Sequence, residues 1–310
     1  MENFIHSLND LIWSPPLVGL CLLAGLFFSL RSRFVQLRMI PEMWRLLFQR
    51  KEGEIGLSSF QALTLTLAGR VGTGNIAGVA TAICYGGPGA LFWMWTVAFL
   101  GASSAFVEST LGQIYKEKIE GQYRGGPAFY IEKGLRSKVY AWAFAIVTIL
   151  ASTIFCPGVQ SNTIAAAWEE AFNLDATVSA AIISSILCFV IFGGLKRIAQ
   201  FTSIVVPFMA QAYICVALII VGVNWQQIPD VFHLILSSAF GTDPILGGLL
   251  GSAISWGVKR GIYSNEAGQG TGPHGSSAAA VSHPAKQGLV QAFSVYIDTL
   301  FVCSATGFMI

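Results

Sequence analysis

The chain has 310 residues, 54% of them hydrophobic and only 11% charged, with a formal net charge of +2 and a mean hydropathy of +0.64. A soluble domain carries about a quarter charged residues, so the composition excludes one, and no basic stripe interleaved with aromatics points to nucleic acid as a partner. Cys21, Cys84, Cys156, Cys188, Cys215 and Cys303 are scattered through apolar runs without a CxxC and read as small hydrophobes.

Apolar stretches of the ~20 residues needed to cross a bilayer recur near 11–30, 58–84, 88–113, 139–167, 176–194, 200–223, 245–268 and 287–310. They predict an all-α polytopic membrane protein. The first is not a cleavable signal peptide, because such a signal opens with a basic region and Met1 to Trp13 carries only Glu2 and Asp10. Arg31, Arg33, Arg38, Arg45, Arg50 and Lys51 fall between spans one and two, and Lys116, Lys118, Arg124, Lys133, Arg136 and Lys138 between three and four. Lys196 and Arg197 follow span five, and Lys286 precedes span eight. The opposite loops hold Glu169, Glu170, Asp175, Asp230 and Asp243 and no basic residue. The positive-inside rule puts the basic loops in the cytoplasm and the amino terminus outside. "RGGPAFYIEKGL", Arg124 to Leu135, is too short and polar to span and reads as an interfacial amphipathic segment. The FWMW run, Phe92 to Trp95, reads as a packing surface near the outer interface, and His233, His274 and His283 show no metal spacing.

Arg70, Lys259 and Arg260 lie inside predicted spans, where each costs about 2.5–3.5 kcal/mol at mid-bilayer. They mark "ALTLTLAGRVGTGNIAGVATA" and "GSAISWGVKRGIYSNEAGQGTG". At a constant offset of 190, Arg70 matches Arg260, Asn75 matches Asn265, Ala77 and Gly78 match Ala267 and Gly268, and Thr81 matches Thr271. The same offset carries Ser104 onto Ser294, Glu108 onto Asp298 and Ser109 onto Thr299. This is an internal repeat. Under the loop assignment its two copies run oppositely through the membrane, and inverted repeats with glycine-interrupted spans at matching places point to a secondary transporter with its substrate at their interface. Glycines let each helix unwind near the midplane, where freed amides favour a carboxylate and freed carbonyls a cation.

"GGPGALFWMWTVAFLG", Gly86 to Gly101, resembles the signature of the sodium:alanine/glycine symporter family, the amino-acid carrier proteins. "GRVGTGNIAGVATA" and "SNEAGQGTGPHGSSAA" resemble two further stretches of that family, and the resemblance runs from residue 1 to 310. It implies a leucine-transporter-type inverted-repeat fold with one extra amino-terminal helix. The expected organisation is a single transporter domain: 11–30 the extra helix, 58–223 a first five-helix repeat, 245–310 the first two helices of a second. It also implies sodium-driven uptake of a small neutral amino acid, alanine or glycine, across a bacterial cytoplasmic membrane, by a monomer at full length and with no cofactor beyond the coupling ion. Some similar proteins are assigned to glutamine.

On this resemblance Gly72, Thr73, Gly74 and Asn75 form the first break and touch substrate and ion; the alternative is a kink packed through small residues. Ala68 and Val71 offer carbonyls which, with Asn75, are the candidate sodium ligands. Gln160, after Pro157 and Gly158, either contacts the amino acid or makes a helix-to-helix amide bond. Ser264, Asn265 and Gly268 close the far side of the pocket. Glu266 is expected to balance Arg260 or Lys259, Arg70 to sit at a gate or pair with an acid, and Glu108 and Asp298 to pair with these cations. "GTGNIAG" mimics part of a dinucleotide fingerprint, but no strand precedes it, and no nucleophile–base pair or HExxH suggests an enzyme. An ion channel is the rival reading, which would not need an inverted repeat. Two of the five helices expected in the second repeat are present, so the resemblance implies a longer carrier, and transport by the 310-residue chain alone is expected to be lost.

Overall fold

The computed structural model describes residues 9, 11–49, 53, 55–241 and 250–310. Glu2, Asp10, Arg50, Lys51, Asp243 and the start of the seventh predicted span lie outside the described residues.

Of the eight predicted spans, four are helices long and apolar enough to cross a membrane, among the described residues: Gly89–Ile114, Lys138–Phe172, Gly194–Val223 and Pro284–Met309. Pro15–Arg31 (α1) and Ala176–Ile191 are shorter apolar helices of 17 and 16 residues, roughly 25 Å at 1.5 Å per residue. The remaining two spans are interrupted. The first runs as Ser59–Arg70 and Val79–Gly86, joined through a wide turn at Gly74–Gly78. The second runs as Leu250–Asn265 and Gly272–Ser277. The fold is thus that of a predominantly helical multi-pass membrane protein.

Local chemistry explains several boundaries. Ser58 and Gln61 form a reciprocal capping box that starts Ser59–Arg70, Ser58 Oγ accepting from the Gln61 amide at 3.1 Å. Asp175 caps Ala176–Ile191 by accepting from the Thr177 amide at 2.7 Å. Gly194–Val223 begins six residues earlier than predicted, so Lys196 and Arg197 sit in its first turn rather than in a loop, with the Arg197 guanidinium over the Phe189 ring at 3.9 Å. A small antiparallel hairpin, Glu117–Ile119 with Gln122–Arg124, is a local departure from the all-α expectation. The amphipathic segment after it forms the short helix Pro127–Gly134. Ile228–Ala239, too short to read as a span, is a helix whose Ser238 Oγ accepts from the Gly89 amide.

Gly89–Ile114 (α2) and Pro284–Met309 (α3) form the centre. Their inner faces meet the first interrupted span around Leu63, Leu67, Ala98, Ala102, Val290 and Val295, and α2 meets the second around Val97, Val258 and Ile262. The helices from Lys138 to Val223 lie outside and expose Trp142, Ile149, Phe155, Phe189, Phe208 and Leu218, a surface suited to hydrocarbon rather than water. Where Leu250–Asn265 crosses α2, a Cβ on Gly257 would stand 2.5 Å from the Ala90 carbonyl oxygen. Gly257→Ala must therefore push the two helices apart, at about 1–3 kcal/mol. It should lower the thermal unfolding temperature of the detergent-purified chain, whereas Gly222→Ala, with nothing within 4 Å, should leave it unchanged or raise it.

Candidate binding site at two helix breaks

Ser59–Arg70 ends where the Val71 amide makes its last helical bond to the Leu67 carbonyl; Val71 itself is extended, at φ −76° and ψ 106°. The amides freed here are taken up locally. Asn75 Oδ1 accepts from the Gly72 amide at 2.8 Å, and Gln160 Oε1 accepts from the Thr73 amide at 3.2 Å. Gly74 lies against the Tyr263 ring and the Ser264 backbone. Ala68 sits on the exposed side of the final helical turn, and Val71 is buried.

The second break spans residues 266–271. Glu266 takes a left-handed conformation at φ 53°, and Gly268 and Gly270 both have φ 84°. Asn265 Oδ1 accepts from the Ala267 amide at 3.0 Å, so the matched asparagines of the two breaks each hold an amide of their own break.

The two breaks exchange partners through the long helices. Asp298, on α3, accepts from Asn75 Nδ2 at 2.7 Å on Oδ1, and from Ser264 Oγ and Thr299 Oγ1, both at 2.8 Å, on Oδ2. Glu108, the matched acid on α2, accepts from the Gly270 amide at 3.1 Å. Each acid therefore serves the break of the other sequence copy. Asn75, Ser264, Asn265 and Asp298 are all fully or almost fully buried.

The expected ion pairs do not form. Among the described residues the ion pairs are Arg45–Glu42, Arg124–Glu120 and Lys133–Glu117, all away from the breaks. Glu266 instead accepts from Thr271 Oγ1 at 2.6 Å, because its left-handed backbone turns the side chain toward the break's own exit. Lys259 and Arg260 lean on the Trp256 ring, at 5.8 and 5.4 Å from its centroid. Arg70, 2% exposed, donates from Nη1 to Ser294 Oγ and to the Gln291 carbonyl. No ion pair joins it to Glu108 or Asp298 among the described residues: both Asp298 oxygens accept from Asn75, Ser264 and Thr299, and Glu108 Oε2 accepts from the Gly270 amide.

Sequence reasoning missed Thr306 and Tyr213, and found Thr299 only as the repeat partner of Ser109 and not as a site residue. Thr306 Oγ1 donates to the Asn75 carbonyl at 2.6 Å, and the Tyr213 hydroxyl lies 2.5 Å from Thr306 Oγ1. Cys303, read as a plain hydrophobe, places Sγ 3.3 Å from Asn75 Nδ2. Thr299, Cys303 and Thr306 recur at helical spacing after Asp298, a pattern that would have found them. In the FWMW run, Trp93 and Trp95 bond the Ala239 carbonyl and Ser304 Oγ, as a packing surface does. His283 caps Pro284–Val295, and His274 Nδ1 lies 3.4 Å from the Gly125 carbonyl oxygen.

A cavity of about 530 Å³ borders the second break, lined by Tyr115, Tyr130, Tyr140, Phe144, Gly268 and Gln269. Beyond it, Gln113 Nε2 and Lys116 Nζ donate to the Ser276 and Ala279 carbonyls and hold the chain that follows Gly272–Ser277. Asp298→Ala would remove the charged acceptor shared by Asn75 Nδ2, Ser264 Oγ and Thr299 Oγ1 in a buried site, costing about 1–3 kcal/mol. It should lower the unfolding temperature clearly more than Glu266→Ala, which frees the half-buried Thr271 hydroxyl alone.

A family model described as the sodium:alanine symporter family matches residues 1–310. The chain is 60% identical over 310 residues to the putative sodium/proton-dependent alanine carrier protein YrbD of Bacillus subtilis, covering 100% of this chain and 64% of that protein. It is 46% identical to the probable sodium/glutamine symporter GlnT of the same organism, covering 100% of this chain and 65% of the relative. To the sodium/alanine symporter AgcS of Methanococcus maripaludis it is 39% identical, covering 99% and 70%. The chain thus spans about two thirds of the length of these relatives. With the family model matched from first residue to last, the chain belongs to the sodium:alanine symporter family.

Proposed function

We propose that the chain forms the core of a sodium-coupled carrier that takes a small neutral amino acid, alanine first, into a bacterial cell by alternating access. In this reading 58–223 and 245–310 belong to two inverted repeats of the leucine-transporter type, 11–30 is the added helix, and the amino terminus faces outward. The observation that carries it is the meeting of two interrupted helices across the buried Asn75–Ser264–Asp298 network.

The Gly72 and Thr73 amides are held by side-chain oxygens of Asn75 and Gln160. A substrate carboxylate is a stronger acceptor than either amide oxygen and would take over these donors. Ser264, Asn265, Gly74 and Gly268 then frame the other side of the amino acid. The carbonyls of Ala68 and Val71 stand at the negative end of the Ser59–Arg70 dipole and, with Asn75, would hold the sodium ion. Oxygen donors of this kind suit a hard cation. Arg70, Lys259, Arg260, Glu266, Glu108 and Asp298 act in this reading as the gate and frame of the site. The names of YrbD, a putative sodium/proton-dependent alanine carrier, and AgcS, a sodium/alanine symporter, support the substrate class, and that of GlnT, a probable sodium/glutamine symporter, supports glutamine as the second candidate.

The test is thermal unfolding of the purified chain with alanine, glycine or glutamine, in sodium chloride and in choline chloride. A ligand at about 100 times its Kd stabilises by roughly 2.7 kcal/mol. Alanine is expected to raise the transition only with sodium present, and Gln160→Ala to diminish the rise. A sodium-dependent rise with glutamine alone would move the assignment to that substrate. No shift with any amino acid in either salt would overturn the proposal.

A further inference from the structure

Arg33 and Phe34 follow α1 in the left-handed conformation, both at φ 54°, which residues with a side chain disfavour. The Arg33 amide donates to the Leu30 carbonyl at 3.0 Å and the Phe34 amide to the Ser29 carbonyl at 2.7 Å. The Phe34 ring stacks on Phe99 of α2 with centroids 6.4 Å apart. Gln36, fully buried, donates to Ser29 Oγ at 2.7 Å, and Ser29 Oγ donates to Ser103 Oγ of α2 at 3.1 Å. The reversal after α1 is thus tied to α2, and it leaves the Arg33 side chain exposed near that of Arg31.

A cleft of about 320 Å³ opens there, lined by Phe27, Leu30, Arg31 and Arg33. Phe27, Leu30 and Arg31 share one face of α1 through their spacing of three and four. The same face continues through Leu23 and Leu20, and these four apolar side chains are 58–64% exposed. From Leu30 to Leu20 the helix rises about 15 Å, half of the ~30 Å hydrocarbon thickness of a bilayer. Two cations therefore stand at the end of an apolar track one leaflet deep.

Two guanidiniums select an anion, and their planar forks match phosphate oxygens. Among the described residues no carboxylate pairs with either, and Glu42 is taken by Arg45. A headgroup with its own ammonium would bring a third positive charge to the cleft. A free phosphate would use the arginines and leave the apolar track uncovered. We propose that Arg31, Arg33, Phe27 and Leu30 bind one anionic phospholipid, its phosphate on the arginines and an acyl chain along α1 toward Leu20. On the opposite face of α1, Ser29 bonds Ser103, and a Cβ on Gly25 would stand 2.9 Å from Leu100 Cβ. The lipid braces from outside a helix that α2 holds from inside. The site is independent of which solute the chain carries.

The test titrates the delipidated full chain in detergent with dioleoyl-phosphatidylglycerol or dioleoyl-phosphatidylcholine, read by thermal unfolding and by native mass spectrometry of bound lipid. Phosphatidylglycerol is expected to raise the transition more and to stay bound, with a preference that weakens in salt. A basic side chain near a lipid surface contributes about fivefold in affinity, so Arg31→Gln with Arg33→Gln should lower phosphatidylglycerol affinity roughly 30-fold. Arg38→Gln with Arg45→Gln removes the same charge from exposed arginines outside the cleft and should change it far less. Arg33→Gly relieves the left-handed backbone, so it should raise the lipid-free transition while reducing the rise that phosphatidylglycerol gives. A purely structural Arg33 would not produce that combination. Equal stabilisation by the two lipids would overturn the proposal, as would an unchanged preference in the Arg31 and Arg33 variant or an equal loss in the Arg38 and Arg45 variant. Inorganic phosphate alone reproducing the phosphatidylglycerol shift would overturn it too. If the double variant does not fold, Arg33→Gly decides.

Discussion

A helix interrupted among apolar neighbours exposes amides and carbonyls that water does not reach, and each one left unpaired costs several kcal/mol in hydrocarbon. The structure around residues 71–73 and 266–271 is arranged by that constraint. Asn75 and Asn265 satisfy amides of their own breaks, while the rest of the demand is met from opposite sequence copies: Asp298 engages Asn75, and Glu108 engages Gly270. Neither break is complete without the long helix that follows the other. The segments 59–114 and 250–309 are consequently one interlocked unit.

The outer helices relate to this unit differently. Their surfaces are largely apolar and exposed, and it is Gly194–Val223 that packs on the centre, with Val206 and Tyr213 in the central cluster. They reach the first break through two polar side chains, Gln160 on the Thr73 amide and Tyr213 through Thr306 on the Asn75 carbonyl. Apolar contact in a bilayer gives little positional preference, since lipid chains offer the same contact. Directional hydrogen bonds such as these therefore fix where the outer layer sits against the break.

Hydropathy made the long apolar helices legible, because the transfer of a peptide segment into hydrocarbon depends on composition summed over ~20 residues. It is silent on whether the hydrogen-bond ladder within a segment is continuous. The cluster Gly72–Gly74 supplied that information for the first break, and Gly268 and Gly270 for the second, where both have positive φ. The ionic pairings were not legible. Each cation within a predicted span had several acids within sequence reach, and in the structure Glu266 bonds Thr271, Lys259 and Arg260 lean on the Trp256 ring, and the Asp298 oxygens are engaged by Asn75, Ser264 and Thr299. Ile228–Ala239 escaped notice since its 12 residues fall short of a span while its packing against Gly89 is a tertiary fact.

Matched positions in the two breaks also carry unequal burial. Arg70 is enclosed, with Nη1 bonded to Ser294 and Gln291, whereas Arg260 rests on Trp256 in a half-buried setting. The first break leaves two residues outside a helix, 71 and 72, and is bonded by Asn75, Gln160 and Thr306; the second runs over six residues, exposes Gly268 and Gln269, and borders a cavity of about 530 Å³. Local opening is easiest where buried contacts are few and backbone bonds are exposed. The same sequence motif, placed twice, thus yields a first break held on every side and a second with room beside it.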